Sequence, residues 1–260
     1  MMNDAEAQVM DALHRAGQAQ QAGEHAAALR ELLFIHTDCG HDDRGANHLR
    51  GFALHEWGRL AEAYPPAREA LIAARDEEVR RLLAGETSSR SFGDDYDAPR
   101  WLEVASMNRT LGDLASTART FVTLLDTLPE VASRFSRVAL PALIAQGDFA
   151  LAARFLPDPL AMADHLNAYA TELPLLPAPG EAPRLAAELT GYVNDVAMAG
   201  TILAGVDRAD EAATLRAAAL AALTDPSLRA MAQRELDEPG TITRTLVDHQ
   251  MAAEMARQQQ

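Results

Sequence analysis

Apolar side chains recur three and four residues apart along nearly the whole chain. Ala28, Leu32, Ile35 and Cys39 follow spacings of four, three and four, which line up as one stripe on an α-helix. Leu49, Ala53, Trp57, Leu60 and Tyr64 repeat the pattern until Pro65-Pro66 interrupts it. Proline suits the first turn of a helix, where its missing N–H costs nothing, so a new helix is expected there. That helix would turn Ala67, Ala70, Leu71 and Ala74 inward. Trp101, Val104, Ala105 and Asn108 share a face before Gly112-Asp113, a left-handed stop followed by an N-cap. Leu114, Ala118, Phe121, Leu125 and Leu128 form the next stripe, and Pro129 opens another with Val131, Phe135, Val138, Ala142 and Ala145. Gly147-Asp148 repeats the stop-and-start signal, and Pro157-Asp158-Pro159 ends a short helix. Leu185, Leu189, Tyr192, Val196, Ala199 and Leu203 mark a long helix. Its partner runs from Asp210 to Leu223, Asp225-Pro226 opens one more, and a terminal helix from about Thr243 lines up Val247, Met251 and Met255.

No run of alternating β-branched and aromatic residues is long enough to predict a strand. The polar stretch from Glu86 to Asp97 reads as a surface loop. The pattern therefore predicts an all-α protein of stacked antiparallel helical hairpins, because short connections make consecutive helices neighbours. Composition agrees: the chain is 48% hydrophobic but only 5% aromatic, with Ala and Leu dominant, residues that lose little side-chain freedom in a helix. The proline-rich segment 173–183 is the expected internal boundary, giving a hairpin array over 1–173 and a C-terminal hairpin with capping helices over 184–260.

Within this array, the segment from Trp101 to Pro129 resembles a tetratricopeptide repeat. Trp101, Val104, Ala105, Gly112, Phe121 and Pro129 stand where that repeat places a large opening residue, a small one midway, a turn glycine, a helix-B aromatic and a closing proline. Asn108, where an aromatic is usual, and Thr117, in place of a small Ala, depart from it. Gly23, Ala28 and Leu32 keep the helix-B spacing, and the hairpin around Gly58 and Pro65-Pro66 keeps the shape with altered turn chemistry. A Tyr-Pro-Pro-Ala hairpin followed by a Met-Asn helix, here Tyr64 to Ala67 and Met107-Asn108, is also similar to bacterial helical-repeat proteins. The resemblance implies a superhelix whose first helices line a concave, non-catalytic binding surface for a peptide or partner helix. On that surface it would place His55, Arg59, Glu103, Ser106 and Arg109. An Arg fork grips a carboxylate in two bonds, so an acidic partner is expected; exposed Arg–carboxylate pairs within the chain are the plainer account of Arg59 and Arg109. The family's Lys-rich chaperone clamp has no counterpart, because the chain contains no Lys.

Charge removes other classes. All 23 basic residues are Arg, which excludes a Schiff-base lysine and a P-loop lysine. A net charge of −15 repels nucleic acid and anionic membranes. The acidic start is unlike a secretory signal, no apolar run approaches membrane-spanning length, and a single cysteine fits a reducing compartment. These features, with the Ala- and Arg-rich usage of a GC-rich genome, predict a bacterial cytoplasmic protein that needs no cofactor; its oligomeric state stays open.

One constellation suggests chemistry instead. His36, Cys39 and His41 lie within six residues, with His48 and His55 downstream, so a helical-bundle enzyme or metal protein is the alternative. No CxxC or HExxH motif accompanies them, and Cys39 also reads as the small apolar end of its stripe. Asp94-Asp95-Tyr96-Asp97 with Glu103 has only fragments of a calcium loop, and there is no nucleophile elbow or Gly-rich phosphate loop. The Met-bearing terminal helix reads as either a second interaction edge or a cap.

Overall fold

The computed structural model describes residues 3–38, 44–91 and 97–258. It is 80% helical, as the periodicity requires. The chain divides into two compact units, residues 1–146 and 147–260, and the proline-rich segment 173–183 lies inside the second.

In the first unit, α1 (Asp4–Gln21) and α2 (His25–Thr37) form a hairpin, followed by α3 (Arg44–Ala63) with α4 (Pro65–Leu83) and α5 (Arg100–Leu111) with α6 (Leu114–Thr127). Besides these pairings, α1 packs on α3 and α3 on α5, while α2 packs on α3 and α4 on α5. Each hairpin thus meets the next through both of its helices. The stripes read from the sequence supply much of the shared core: Ala28, Leu32, Ile35, Trp57, Leu60 and Leu71 are buried in one cluster, which Val9 and Ala12 of α1 and Met107 of α5 complete. Local chemistry closes the elements. Pro65 opens α4, Gly112 adopts a left-handed φ of 69° after α5, and the Asp113 side chain accepts from Ser116 N at 3.0 Å to cap α6. Gly58 has a packing role. It lies inside α3, where an added Cβ would meet Thr110 Cγ2 of α5 at 2.6 Å, so its missing side chain lets the two helices touch.

Two expectations need correction. The polar segment read as a loop contains an antiparallel hairpin, β1 (Ser88–Ser91) with β2 (Asp97–Pro99), in which Arg90 faces Ala98 and Ser91 faces Asp97. Its strands carry no apolar alternation because they form no sheet face of a core; backbone pairing and two arginines hold them. The helix expected from Pro129 to Ala145 is also broken, into α7 (Pro129–Arg134), a 3₁₀ turn at Ser136–Val138 and α8 (Leu140–Ala145). Pro141 has no N–H to donate and its ring would clash with the carbonyl four residues back, so a continuous helix cannot pass through it. Trp101 stacks on Phe121 with ring centroids 6.3 Å apart and donates its indole N–H to Phe135 O at 3.4 Å.

The second unit runs α9 (Phe149–Ala152), α10 (Ala163–Glu172), α11 (Arg184–Gly205), α12 (Ala209–Ala222), α13 (Pro226–Asp237) and α14 (Thr241–Gln258). The long α11 is its axis, touching α9, α10, α12 and α13. Leu185, Leu189, Tyr192, Val196, Leu166, Leu228 and Ala232 fill the core around it. Gly205, at the end of α11, is covered by the Phe149 ring, which an added Cβ would meet at 2.2 Å. Among the described residues no helix is long and apolar enough to cross a membrane.

Candidate functional site

Chemistry-bearing side chains of the first unit converge where α3 and α5 separate. The two helices touch at Gly58 and Thr110. Seven residues earlier on each, about 10 Å back along the axes by helical rise, a cavity of about 240 Å3 opens between them. Gly51, Leu54 and Trp57 of α3 face Leu102, Glu103 and Ser106 of α5 across it, the end of α2 supplies Ile35 and His36, and the β-hairpin supplies Arg90 and Pro99.

Arg50 is buried at this junction and donates to the carbonyls of Ile35 at 2.7 Å and His36 at 2.6 Å. These are among the last carbonyls of α2, which have no partner inside the helix, so the guanidinium both satisfies them and opposes the negative helix end. Arg90, carried by β1, donates to Glu103 Oε1 at 2.5 Å. His36 Nδ1 lies 3.9 Å from the same oxygen, beyond hydrogen-bond range, and the His36 ring meets Trp57 edge-on at 5.7 Å. Burial alone would push the Glu103 carboxyl up; the charges of Arg90, His36 and Arg50, with the Ser89 hydroxyl, outweigh it and hold the group below the ordinary carboxylate range. Its Oε2 is buried without a well-formed hydrogen bond.

A second buried pair stands beside the first. Arg100, opening α5, binds the Glu78 carboxylate of α4 and donates to Glu86 O at 2.7 Å and Ser88 O at 2.6 Å. Thus one side chain ties α4, α5 and the entry of the hairpin together. Glu78 is pushed above the ordinary range, chiefly by burial and then by the neighbouring charge of Glu103, with Arg100 opposing. Two adjacent carboxylates are therefore displaced in opposite directions by their surroundings. Further along α5, the fully buried Asn108 accepts from Arg75 of α4, which also donates to Asp113 Oδ2 at 3.1 Å. Asn108, where the resemblance expected an aromatic, thus receives a guanidinium.

The five residues expected on a binding face divide into two groups. Glu103 and Ser106 line the cavity. His55, Arg59 and Arg109 are exposed outside it. Arg59, with 61% of its side chain exposed, pairs with Glu56 of its own helix at 3.3 Å, an arrangement worth about 0–1 kcal/mol. Of the alternative metal set, His36 lies at the cavity wall, whereas Cys39 and His41 are outside the described residues, as are Asp94, Asp95 and Tyr96 of the acidic stretch. Among the described residues no three His, Cys, Asp or Glu side chains converge as a metal site would need.

Sequence reasoning missed Arg50, Arg90, Gly51 and Phe52. Phe52 had a readable signal: it is an aromatic lying off the apolar stripe of Leu49, Ala53, Trp57 and Leu60. It is 56% exposed and packs edge-on against His48 at 5.6 Å. No protein-family model, curated protein or solved structure matches the chain.

Proposed function

We propose that the first unit is a non-catalytic interaction module of tetratricopeptide type, binding a peptide or partner helix with an acidic group across the face formed by α3 and α5. The observation that carries this reading is Phe52, a large apolar side chain left 56% exposed on α3 between His48 and His55. By helical spacing His48, Phe52, His55 and Arg59 form one exposed stripe, while Arg109 continues the line of Leu102 and Ser106 on α5. An aromatic anchor ringed by cationic and imidazole groups is the composition of a small protein-binding face, and it stands out on a chain of net charge −15. The packing of α1 on α3 and α3 on α5, with α2 and α4 filling between, supports the superhelical stack. Arg59 adds little while it stays with Glu56, so Arg109 and Phe52 carry most of the face.

The test is capture from native lysate, comparing the intact chain with Phe52→Asp and with the Arg59→Ala/Arg109→Ala double variant, followed by identification of bound proteins by mass spectrometry. A partner held by the wild-type chain and lost from both variants is expected. Partners retained equally by all three would sink the reading.

A further inference from the structure

We infer that the cavity between α3 and α5 is a binding site for a small, neutral, mostly apolar molecule with one hydrogen-bonding group, and that the Ser106 hydroxyl makes that bond. Size is the first argument. Pockets for drug-sized ligands measure roughly 300–1,000 Å3, so a space of about 240 Å3 suits a single ring or a branched chain of similar bulk. Its walls are apolar: Leu32, Ile35, Leu54, Trp57, Leu102 and Met107.

The charges at the cavity's polar end argue for neutrality. Arg90 is engaged by Glu103, and Arg50 by the carbonyls that end α2. An anionic ligand would have to shed its water without gaining a fresh counter-ion from either guanidinium, and a cationic one would meet two guanidiniums against the single carboxylate of Glu103; both are unfavourable. Ser106, in contrast, lines the cavity and a hydroxyl both donates and accepts.

Gly51 supplies an independent observation. A glycine inside a helix costs about 0.5–1 kcal/mol relative to alanine, and such a cost usually has a packing reason. Here an added Cβ would meet nothing within 4 Å. Gly17, Gly191 and Gly200 share that freedom among the described helical glycines, but of these Gly51 alone lines the cavity, at its exposed rim. The missing side chain leaves this rim of the cavity uncovered on the α3 side, at the expense of helix stability.

The test uses three probes sharing one ring: p-cresol, toluene and p-toluate, titrated into the full chain. The two tryptophan indole N–H signals are followed by NMR and assigned through Trp57→Phe. Trp57 lines the cavity and Trp101 does not, so a saturable shift confined to the Trp57 signal is expected with p-cresol. Binding of p-toluate should be at least about ten-fold weaker. Ser106→Ala should weaken p-cresol about three- to ten-fold, the worth of one hydrogen bond, and leave toluene within two-fold. Gly51→Leu should abolish binding while raising the melting temperature, since leucine favours the helix; this separates loss of the site from loss of the fold. Ser106→Phe fills the same space from α5 and should give the same loss. No Trp57 shift up to probe solubility, p-toluate binding as tightly as p-cresol, or undiminished binding in Gly51→Leu and Ser106→Phe would each overturn the assignment.

Discussion

The two units of this chain bury their polar groups for different purposes. In the first, Arg50, Arg75, Glu78, Arg100 and Asn108 are all buried, and each reaches from one helix to another or to the hairpin. In the second, the buried Glu235 accepts from the backbone N–H groups of Gly240 and Ile242 at 2.7 Å each, closing the turn into α14. Asn167 bridges Ala222 O and Thr224 N at 2.9 and 2.8 Å, and Tyr192 donates to Ala219 O at 2.7 Å. The second unit thus sets these polar side chains on backbone near helix ends, and along its axis α11 it also buries Asp195. The first places whole charges between helices, where each is costly unless its partner is present. Of these groups Arg50 lines the cavity between α3 and α5, together with Arg90 and Glu103, whereas Arg75 and Asn108 meet further along α5.

The largest effect should come from breaking that charged framework. Arg100→Leu leaves Glu78 buried without its counter-ion and frees two hairpin carbonyls, so urea denaturation should show a loss of about 3–5 kcal/mol. Adding Glu78→Gln should recover part of it. The counterpart in the second unit is steric. Gly205→Ala drives a methyl into the Phe149 ring and should cost about 1–3 kcal/mol, with no dependence on pH between 4 and 8.

A pH titration sharpens the same contrast. Glu103 is depressed in the folded state, so its contribution is present above its ordinary value of 4.5 and is lost as pH falls through its lower folded value. Glu78 is raised, so its ionisation works against folding, and stability rises as pH falls from its folded value towards 4.5. Carboxyl-carbon NMR should find Glu78 titrating above 4.5 and Glu103 below it; the reverse order would remove the electrostatic account of the site. Smaller still, Tyr192→Phe in the second unit should cost about 1 kcal/mol. Burial pushes the Tyr192 phenol up to about 12, so this hydrogen bond should persist unchanged across the neutral range.

Much of the helical plan could be read from the residues, because stripes, prolines and caps act locally. Pro65, Gly112-Asp113, Gly147-Asp148 and Asp225-Pro226 each mark a boundary that depends on a few neighbours. Pro141 was also there to be read, and the apolar stripe passing through it concealed the break. The hairpin at Ser88–Pro99 was illegible, since its strands show no alternation and owe their place to Arg90 and Arg100. Of the site residues, Glu103 and Ser106 were expected on one face through the resemblance to the repeat, and both line the cavity. Arg50 and Arg90 look like any other surface arginines in the sequence, and nothing within a few positions of either says that a helix end or a carboxylate awaits it.

By itself, then, the sequence determined that this chain is helical, where most helices start and stop, and which stripe of each turns inward, because helix periodicity and capping are interactions over four residues or fewer. Only the tertiary structure decided that α3 and α5 touch at Gly58 and part at Gly51, that a β-hairpin brings Arg90 to Glu103, and that the surroundings push the Glu78 carboxyl up and the Glu103 carboxyl down. Those outcomes depend on distances between groups 13 to 52 residues apart in the chain, which no local pattern encodes.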